Sequence, residues 1–400
     1  MDHPMLSSLA WAGAAGGVAV AFVAGAGVAT VLLWHHSTWS VMVAKGGGDE
    51  LSWPAGSQEF VGAIASTVAS WMGGSAMAGG AVTRLKADAI RVATGVVDRS
   101  FLVRHAICTE RPAPGMAGAA NAMPLGAPHA AFFGMQLGLL TDPRLPFSLI
   151  GSVHYACKMY QTRPIRADAP LRVQATLGGI ARPHRRGTLV DVVLSVWEGT
   201  DSPAGPERLA VTNTFLFFHS RRGFVGDELS GGSRGTPDSE ERLLTLSLEP
   251  SDAAAWASLT GDFNPIHTSD LAARALGVGP VRIVHGMSAL DRALPAVFSR
   301  AMGSASGAAA PDASGVTGAL PEALLPAVLE AKFTRPLGVP AARVVTSACS
   351  PAAPWAARGG VAPGLYLRVS DADKPDARPF QEACLVWGKD AAVRAASPVP

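Results

Sequence analysis

A chain of 400 residues is longer than one core usually organises, since domains tend to run to about 100–200 residues, so at least two folded units are expected. Its 33 basic and 31 acidic residues nearly cancel and charged residues make up only 16%, which argues against a polyanion-binding surface and against nucleic acid as a partner. A hydrophobic content of 48% excludes a wholly disordered chain, while 44 Gly and 30 Pro promise long irregular stretches.

From the N-terminus, residues 3–44 contain no Asp, Glu, Lys or Arg, and from Trp11 to Trp34 the chain is almost wholly Ala, Gly, Val, Leu and Phe. As a helix that stretch would rise about 34 Å, against a bilayer hydrocarbon core of about 30 Å, with an indole near each interface. Residues 1–84 are therefore expected to be an apolar leader, with residues 11–34 a candidate membrane anchor. A cleaved or disordered Ala/Gly-rich segment is the competing reading. Localisation stays open between membrane-associated, organellar (mitochondrial) and cytoplasmic. A second uncharged run, Phe60 to Thr83, is richer in Gly and Ser.

From about Leu85 the texture changes to apolar runs between turn residues. An amphipathic segment is expected over Ala130–Leu140, and strands over Leu171–Leu177, Thr188–Trp197 and Leu209–Phe218. The stretch Pro183-His184-Arg185-Arg186-Gly187 lies between two strand-like runs, where Gly suits a tight turn. Its cations either face water or, as Arg185 and Arg186 would permit, contact phosphates of a carrier or coenzyme. Residues 226–241, rich in Gly, Ser, Asp and Glu, form the expected linker.

The second unit, residues 242–390 with a tail at 391–400, is expected to open with a helix capped by Ser251 or Asp252 and running to about Ser258. A short helix after Ser269 should bury Leu271, Ala275 and Leu276 and end at Gly277. A longer helix is expected over Met287 to about Met302, followed by a Gly/Ala/Ser insertion at 303–319. Strands should resume at Val328–Thr334, Ala342–Ala348, Gly364–Val369 and Phe380–Trp387. Both units thus read as α+β, with helices early and antiparallel strands late.

The chemistry concentrates in Leu259-Thr260-Gly261-Asp262-Phe263-Asn264-Pro265-Ile266-His267, followed by His285-Gly286-Met287. An acid, an amide and an imidazole fall within six positions, and Pro265 forces the residue before it out of helical geometry. The resulting bend can aim Asp262 and His267 at one water, to hold and deprotonate it. Gly-Asp-x-Asn-Pro is also good turn composition, so a purely structural loop competes. Gly286 shifts the balance, because at a helix start its N–H and the positive dipole end can receive a developing oxyanion, and a glycine lets substrate approach the backbone. The four cysteines, Cys108, Cys157, Cys349 and Cys384, form no Cys-x-x-Cys clamp, which favours a reducing compartment. No phosphate-binding glycine loop is present in the sequence.

The run from Ala257 to His267, continued by Leu271, Ala272, Ala275, Leu276, Gly277, Pro280 and Ile283-Val284-His285-Gly286-Met287, resembles the signature of MaoC-like (R)-specific enoyl-thioester hydratases, or 3-hydroxyacyl-thioester dehydratases. Phe333-Thr334-Arg335-Pro336-Leu337 resembles the strand and turn that follow the family's central helix. Residues 85–225 are similar to the non-catalytic front half of double hot-dog dehydratases, through Met123-Pro124-Leu125, Gly151-Ser152-Val153-His154 and Arg163-Pro164-Ile165.

The resemblance implies a double hot-dog, two antiparallel sheets each wrapping a central helix. It implies catalysis by Asp262 and His267, support from Asn264, and a Gly286 N–H facing the thioester oxygen. His285 and Met287 would touch substrate, no metal or redox cofactor would be required, and His129 and His154 would be structural. The partner would be an acyl-CoA or acyl-carrier-protein thioester, and the chain a monomeric pseudo-dimer or a homodimer. One departure is Arg282, where the family pattern is usually apolar. A hot-dog thioesterase, or a catalytically silent membrane-tethered acyl-binding scaffold, are the alternatives.

Overall fold

The computed structural model describes residues 90–110, 121–140, 152–179, 181–184, 186–199, 207–218, 241–306, 318–350, 364–373 and 379–396. The leader, most of the linker, Arg185 and residues 307–317 of the insertion lie outside the described residues. Among the described residues no helix is long and apolar enough to cross a membrane.

The front half comprises β1 (Ile90–Val96), α1 (Arg99–Cys108), α2 (Ala127–Ala131), α3 (Phe133–Leu140), β2 (Ser152–Gln161), β3 (Pro170–Leu177), β4 (Arg182–His184), β5 (Gly187–Glu198) and β6 (Leu209–Phe218). The back half comprises β7 (Glu241–Leu248), α4 (Pro250–Thr260), α5 (Pro265–Thr268), α6 (Asp270–Ala275), α7 (Gly286–Ser306), β8 (Ala327–Phe333), β9 (Ala341–Ser350), β10 (Gly364–Asp371), β11 (Gln381–Trp387) and α8 (Lys389–Ala396).

These strands form one antiparallel sheet in the order β1-β3-β5-β6-β2-β8-β11-β10-β9-β7, with β4 hairpinned onto β5. Counted along the chain with β4 set aside, each half has the same order, first-third-fourth-fifth-second, and the halves meet at their second strands, where Cys157 on β2 faces Ala331 on β8. In each half one helix between the first and second strands lies against the sheet, α3 on β1, β3 and β5, and α7 on β7 and β10. This internal repeat is the expected pair of hot-dog units, joined edge to edge.

The elements follow from alternation and capping. On β5, Val190, Val192, Leu194 and Val196 are fully buried, a period of two that turns one face to the core. On α7, Leu290, Leu294, Val297 and Phe298 are buried together with Ala289, Ala293 and Ala301, so the helix is enclosed almost all round. Each large side chain among them contributes about 1.5–3 kcal/mol by leaving water.

Several expectations are corrected. Each half opens with a strand, not a helix, because β1 and β7 precede the helices. Helix α4 starts earlier than Ser251: Pro250 occupies its first turn and Glu249 is the cap, with Asp252 returning a bond to the Glu249 N–H at 2.7 Å. Helix α6 leaves Leu271 65% exposed and buries Ala273 instead, because Leu276 and Val278, beyond its end, are what pack against Ile266 and Ile283. The central helix begins at Gly286 and continues to Ser306, taking in the first residues of the expected insertion. The supposed tail is helix α8 as far as Ala396; its Arg394 is buried against Glu330.

Candidate active site

Helix α4 stops where Gly261 adopts φ +79°, a left-handed cap that lets the chain turn back sharply. The Thr260 hydroxyl donates to the Trp256 carbonyl at 2.9 Å and accepts from the Asp262 N–H at 3.1 Å, which fixes the backbone carrying the acid. Asn264 then caps α5, accepting from the Ile266 N–H at 3.3 Å, with Pro265 in the first turn. That short turn of helix presents His267. Asn264 thus supports the pair through the backbone, and its own N–H donates to the Asp262 carboxylate at 3.3 Å.

The second limb is the segment before α7. Ile283 donates to the Ile266 carbonyl at 3.0 Å and Val284 to the Leu337 carbonyl at 2.9 Å, so this segment is tied both to α5 and to the turn after β8. The His267 Nδ1 lies 2.9 Å from the Ile283 carbonyl oxygen, which can only accept; Nδ1 therefore carries the proton and Nε2 is left as a base. His285 Nε2 donates to the Asp262 carbonyl at 3.2 Å and lies 3.6 Å from the Asp262 carboxylate. The His267 and His285 rings stack with centroids 3.6 Å apart.

The structure therefore brings Asp262, Asn264, His267, His285 and Gly286 into one place. His285 was expected among substrate contacts; it is instead stacked on the proposed base. Burial pushes the Asp262 carboxyl up, opposed by the His267 charge and the Asn264 N–H. Burial likewise lowers His267, opposed by Asp262 and the Ile283 carbonyl, and holds His285 well below its ordinary range. Both imidazoles are neutral at physiological pH, the form in which His267 can take a proton.

One atom from each of Asp262, His267 and His285 lies within 4.8 Å of the others, a spacing a cation could use. The stacked rings hold their in-plane lone pairs in nearly parallel planes, however, whereas tetrahedral coordination needs them to converge. A shared water fits this geometry better.

Gly286 heads α7, but the expected reason for a glycine there needs correction. A Cβ at Gly286 would lie 2.3 Å from the Phe333 ring, so it is this ring of β8, not open approach space, that requires glycine. Met287 is 2% exposed and belongs to the core packing of α7. Arg186 sits at the β4–β5 hairpin of the front half, its N–H on His184 Nδ1 at 3.3 Å, and is not among the residues that build this cluster. Arg282 is reconciled with its position by Asp270, which accepts from both its N–H at 3.0 Å and its Nε at 2.7 Å.

Sequence reasoning missed Thr260 as a brace, the Ile283 carbonyl and Phe333. Thr260 stood inside the motif and could have been found; a backbone carbonyl sixteen positions away leaves no side-chain signal.

Comparison with known structures gives the class first. The chain superposes on HtdX of Mycobacterium tuberculosis with a TM-score of 0.52 at 23% identity, covering 74% of this chain and 100% of that one. A MaoC-like dehydratase from Phytophthora capsici gives 0.51 at 13% identity, over 76% and 96%. At such identities the likeness speaks for the fold, a double hot-dog. Residues 234–309, in the back half, match the family model described as MaoC like domain. A curated relative, 3-hydroxyacyl-thioester dehydratase X of M. tuberculosis, is 33% identical over 171 residues, which is 42% of this chain. The match spans 56% of that relative's length.

Proposed function

We propose that the chain catalyses reversible syn hydration of trans-2-enoyl thioesters to (R)-3-hydroxyacyl thioesters, carried on coenzyme A or an acyl carrier protein. The observation that carries this reading is the neutral His267, its Nδ1–H committed to the Ile283 carbonyl, beside a half-buried Asp262 and the helix start at Gly286. The MaoC-like domain and the dehydratase relative support it.

In the hydration direction Asp262 and His267 hold one water. Its proton passes to His267 Nε2 as its oxygen attacks C3, and the C2–C3 π pair shifts so that negative charge builds on the thioester oxygen. The Gly286 N–H at the head of α7 would receive that charge. The proton then returns through the pair to C2, so no atom is gained or lost beyond the water. General acid–base help of about 10²–10⁴-fold corresponds to roughly 3–5 kcal/mol, and one oxyanion donor adds about 3–4 kcal/mol. This route needs no metal or redox group. The front half supplies the acyl wall, and since the two halves already form a pseudo-dimer, a single chain would hold one site; homodimerisation stays compatible.

The test is an assay with crotonyl-CoA, the product checked by an (R)-specific dehydrogenase. Loss of enoyl absorbance with (R)-product supports the proposal. Steady thiol release with the enoyl absorbance intact would instead establish a thioesterase, and no conversion on either crotonyl-CoA or its carrier-protein ester would leave the scaffold reading. Residues 11–34 are proposed as a membrane anchor; carbonate extraction of a fusion carrying residues 1–45 checks it, with release into the supernatant counting against.

A further inference from the structure

Helix α7 is enclosed by apolar packing almost all round, yet two consecutive charged residues sit in its middle, Asp291 at 0% exposure and Arg292 at 7%. Both reach helix α1 of the front half. His105 Nε2 lies 3.0 Å from Asp291 Oδ2, and that imidazole is itself fully buried. Arg292 Nε donates to the Cys108 carbonyl at the end of α1 at 3.0 Å, and its terminal nitrogens reach the Ser247 carbonyl at 3.2 Å and the Asp252 carboxylate of α4 at 2.7 Å. A second front-half element closes over the same spot, since a Cβ at Gly126, the cap of α2, would lie 2.1 Å from both Asp291 oxygens.

A buried polar pair adds little net stability over apolar packing, because desolvation offsets its attraction. What it does add is direction, since a hydrogen bond fixes distance and angle where apolar contacts can slide.

His105 also touches the other limb of the site. Its ring lies 5.9 Å from that of Trp256 on α4 and 6.2 Å from that of Phe101 on its own helix. The Trp256 carbonyl holds the Thr260 hydroxyl, which in turn holds the Asp262 N–H. Asp291 stands five residues beyond Gly286, about 7.5 Å along the helix axis. One imidazole of the front half is thus bonded to the helix whose head offers the oxyanion N–H and rests on the helix that ends at the acid. Those two groups must keep their separation closely if one water and one thioester oxygen are to be served together.

We infer that His105 is a positioning residue for the reaction. Through its bond to Asp291 and its contact with Trp256 it holds the Gly286 end of α7 and the Asp262 loop in register, so the front half sets the catalytic geometry as well as walling the acyl chain. The identity of the groups it aligns rests on the proposed hydratase reading.

The experiment compares the wild-type chain with His105→Phe, which keeps a ring against Trp256 but removes the bond, and with His105→Gln, whose amide can still donate to Asp291. Val173→Ala, in the fully buried core of β3, is the control for general destabilisation. Turnover of crotonyl-CoA is corrected for the folded fraction read from urea curves. His105→Phe is expected to lower kcat tenfold or more with KM within twofold, while His105→Gln and Val173→Ala stay within threefold of wild-type kcat. In parallel, the side-chain N–H resonance of His267 is followed in protein carrying isotope-labelled histidine; it should move in His105→Phe and stay in place in the other two. Should His105→Phe not fold, His105→Asn, whose shorter amide falls short of Asp291, takes its place. A purely structural residue would lower the urea midpoint and leave both readouts of the folded protein alone. The inference is overturned if His105→Phe keeps kcat within threefold, if its loss falls on KM, if the His267 signal does not move, or if His105→Gln or Val173→Ala loses as much. If the wild-type chain hydrates no crotonyl thioester, the hydratase reading fails and the His267 resonance alone decides the positioning claim.

Discussion

At the scale of single residues, Gly286 and Phe333 are locked together, since a Cβ on the former would enter the ring of the latter. Gly286→Ala is therefore expected to cost about 1–3 kcal/mol of stability, as overpacking does, and to lower kcat. Phe333→Leu in the same chain should recover most of the stability, read from urea midpoints. Recovery of stability without recovery of kcat would separate the N–H's role from the packing. The pH profile belongs here too. His267 must be neutral, and its value is held below the ordinary 6.5, while Asp262 must be ionised, and its value is raised above 3.8. Activity should hold from neutral pH downward to about 6.5 and be lost between these two limits. A profile already falling above pH 7 on acidification would contradict the burial of His267. The acid, amide and imidazole were legible because six residues of one chain segment carry them. The tautomer was not, because the Ile283 carbonyl and His285 reach the pair only through the fold.

At the scale of elements, the strands read correctly were those with uninterrupted alternation, such as β3, β5 and β6. Strand β2 was missed because His154, Lys158 and Gln161 break its apolar pattern, and β1 because Ile90 and Val96 are both about half exposed. Lys158 shows what the broken pattern buys at the seam between halves. Its Nζ donates to the Arg394 carbonyl at 2.6 Å and lies 3.5 Å from Glu330, which Arg394 also engages from α8 through Nε at 2.9 Å. All three side chains are buried, at 3–6% exposure, so removing Glu330 would leave two buried cations without a counter-charge. Glu330→Gln should cost about 3–5 kcal/mol, whereas cutting an exposed pair such as Arg166–Asp168 should cost less than about 1 kcal/mol. Equal urea midpoints for the two variants would contradict this account of the seam.

For the whole molecule, the duplication of one strand order, meeting at β2 and β8, places the Phe333 and His154 rings from different halves beside each other. The duplication was anticipated from the family resemblance, but how the two halves pair their side chains was not, because no local pattern in the sequence announces it. Its thermodynamic consequence is acid lability. His129 and His154 titrate at about 4 and about 3 in the fold but near 6.5 when unfolded, so between these limits the unfolded chain binds more protons and stability falls as pH falls. Each contributes a loss of about 2 kcal/mol by pH 5. The raised Asp262 and Glu207 act in the opposite sense. Urea midpoints should therefore drop from pH 7.5 to pH 5, and drop less in His154→Phe; a midpoint independent of pH would count against neutral buried imidazoles.

The account turns on Asp262 and His267 acting on one water as a unit. Hydration rates of the wild-type chain, Asp262→Asn, His267→Ala and the double variant measure this directly. Each single change is expected to cost about 10²–10⁴-fold in kcat, and the double no more than the worse single within about threefold. Losses that multiply, or either single variant retaining near-native turnover, would contradict it.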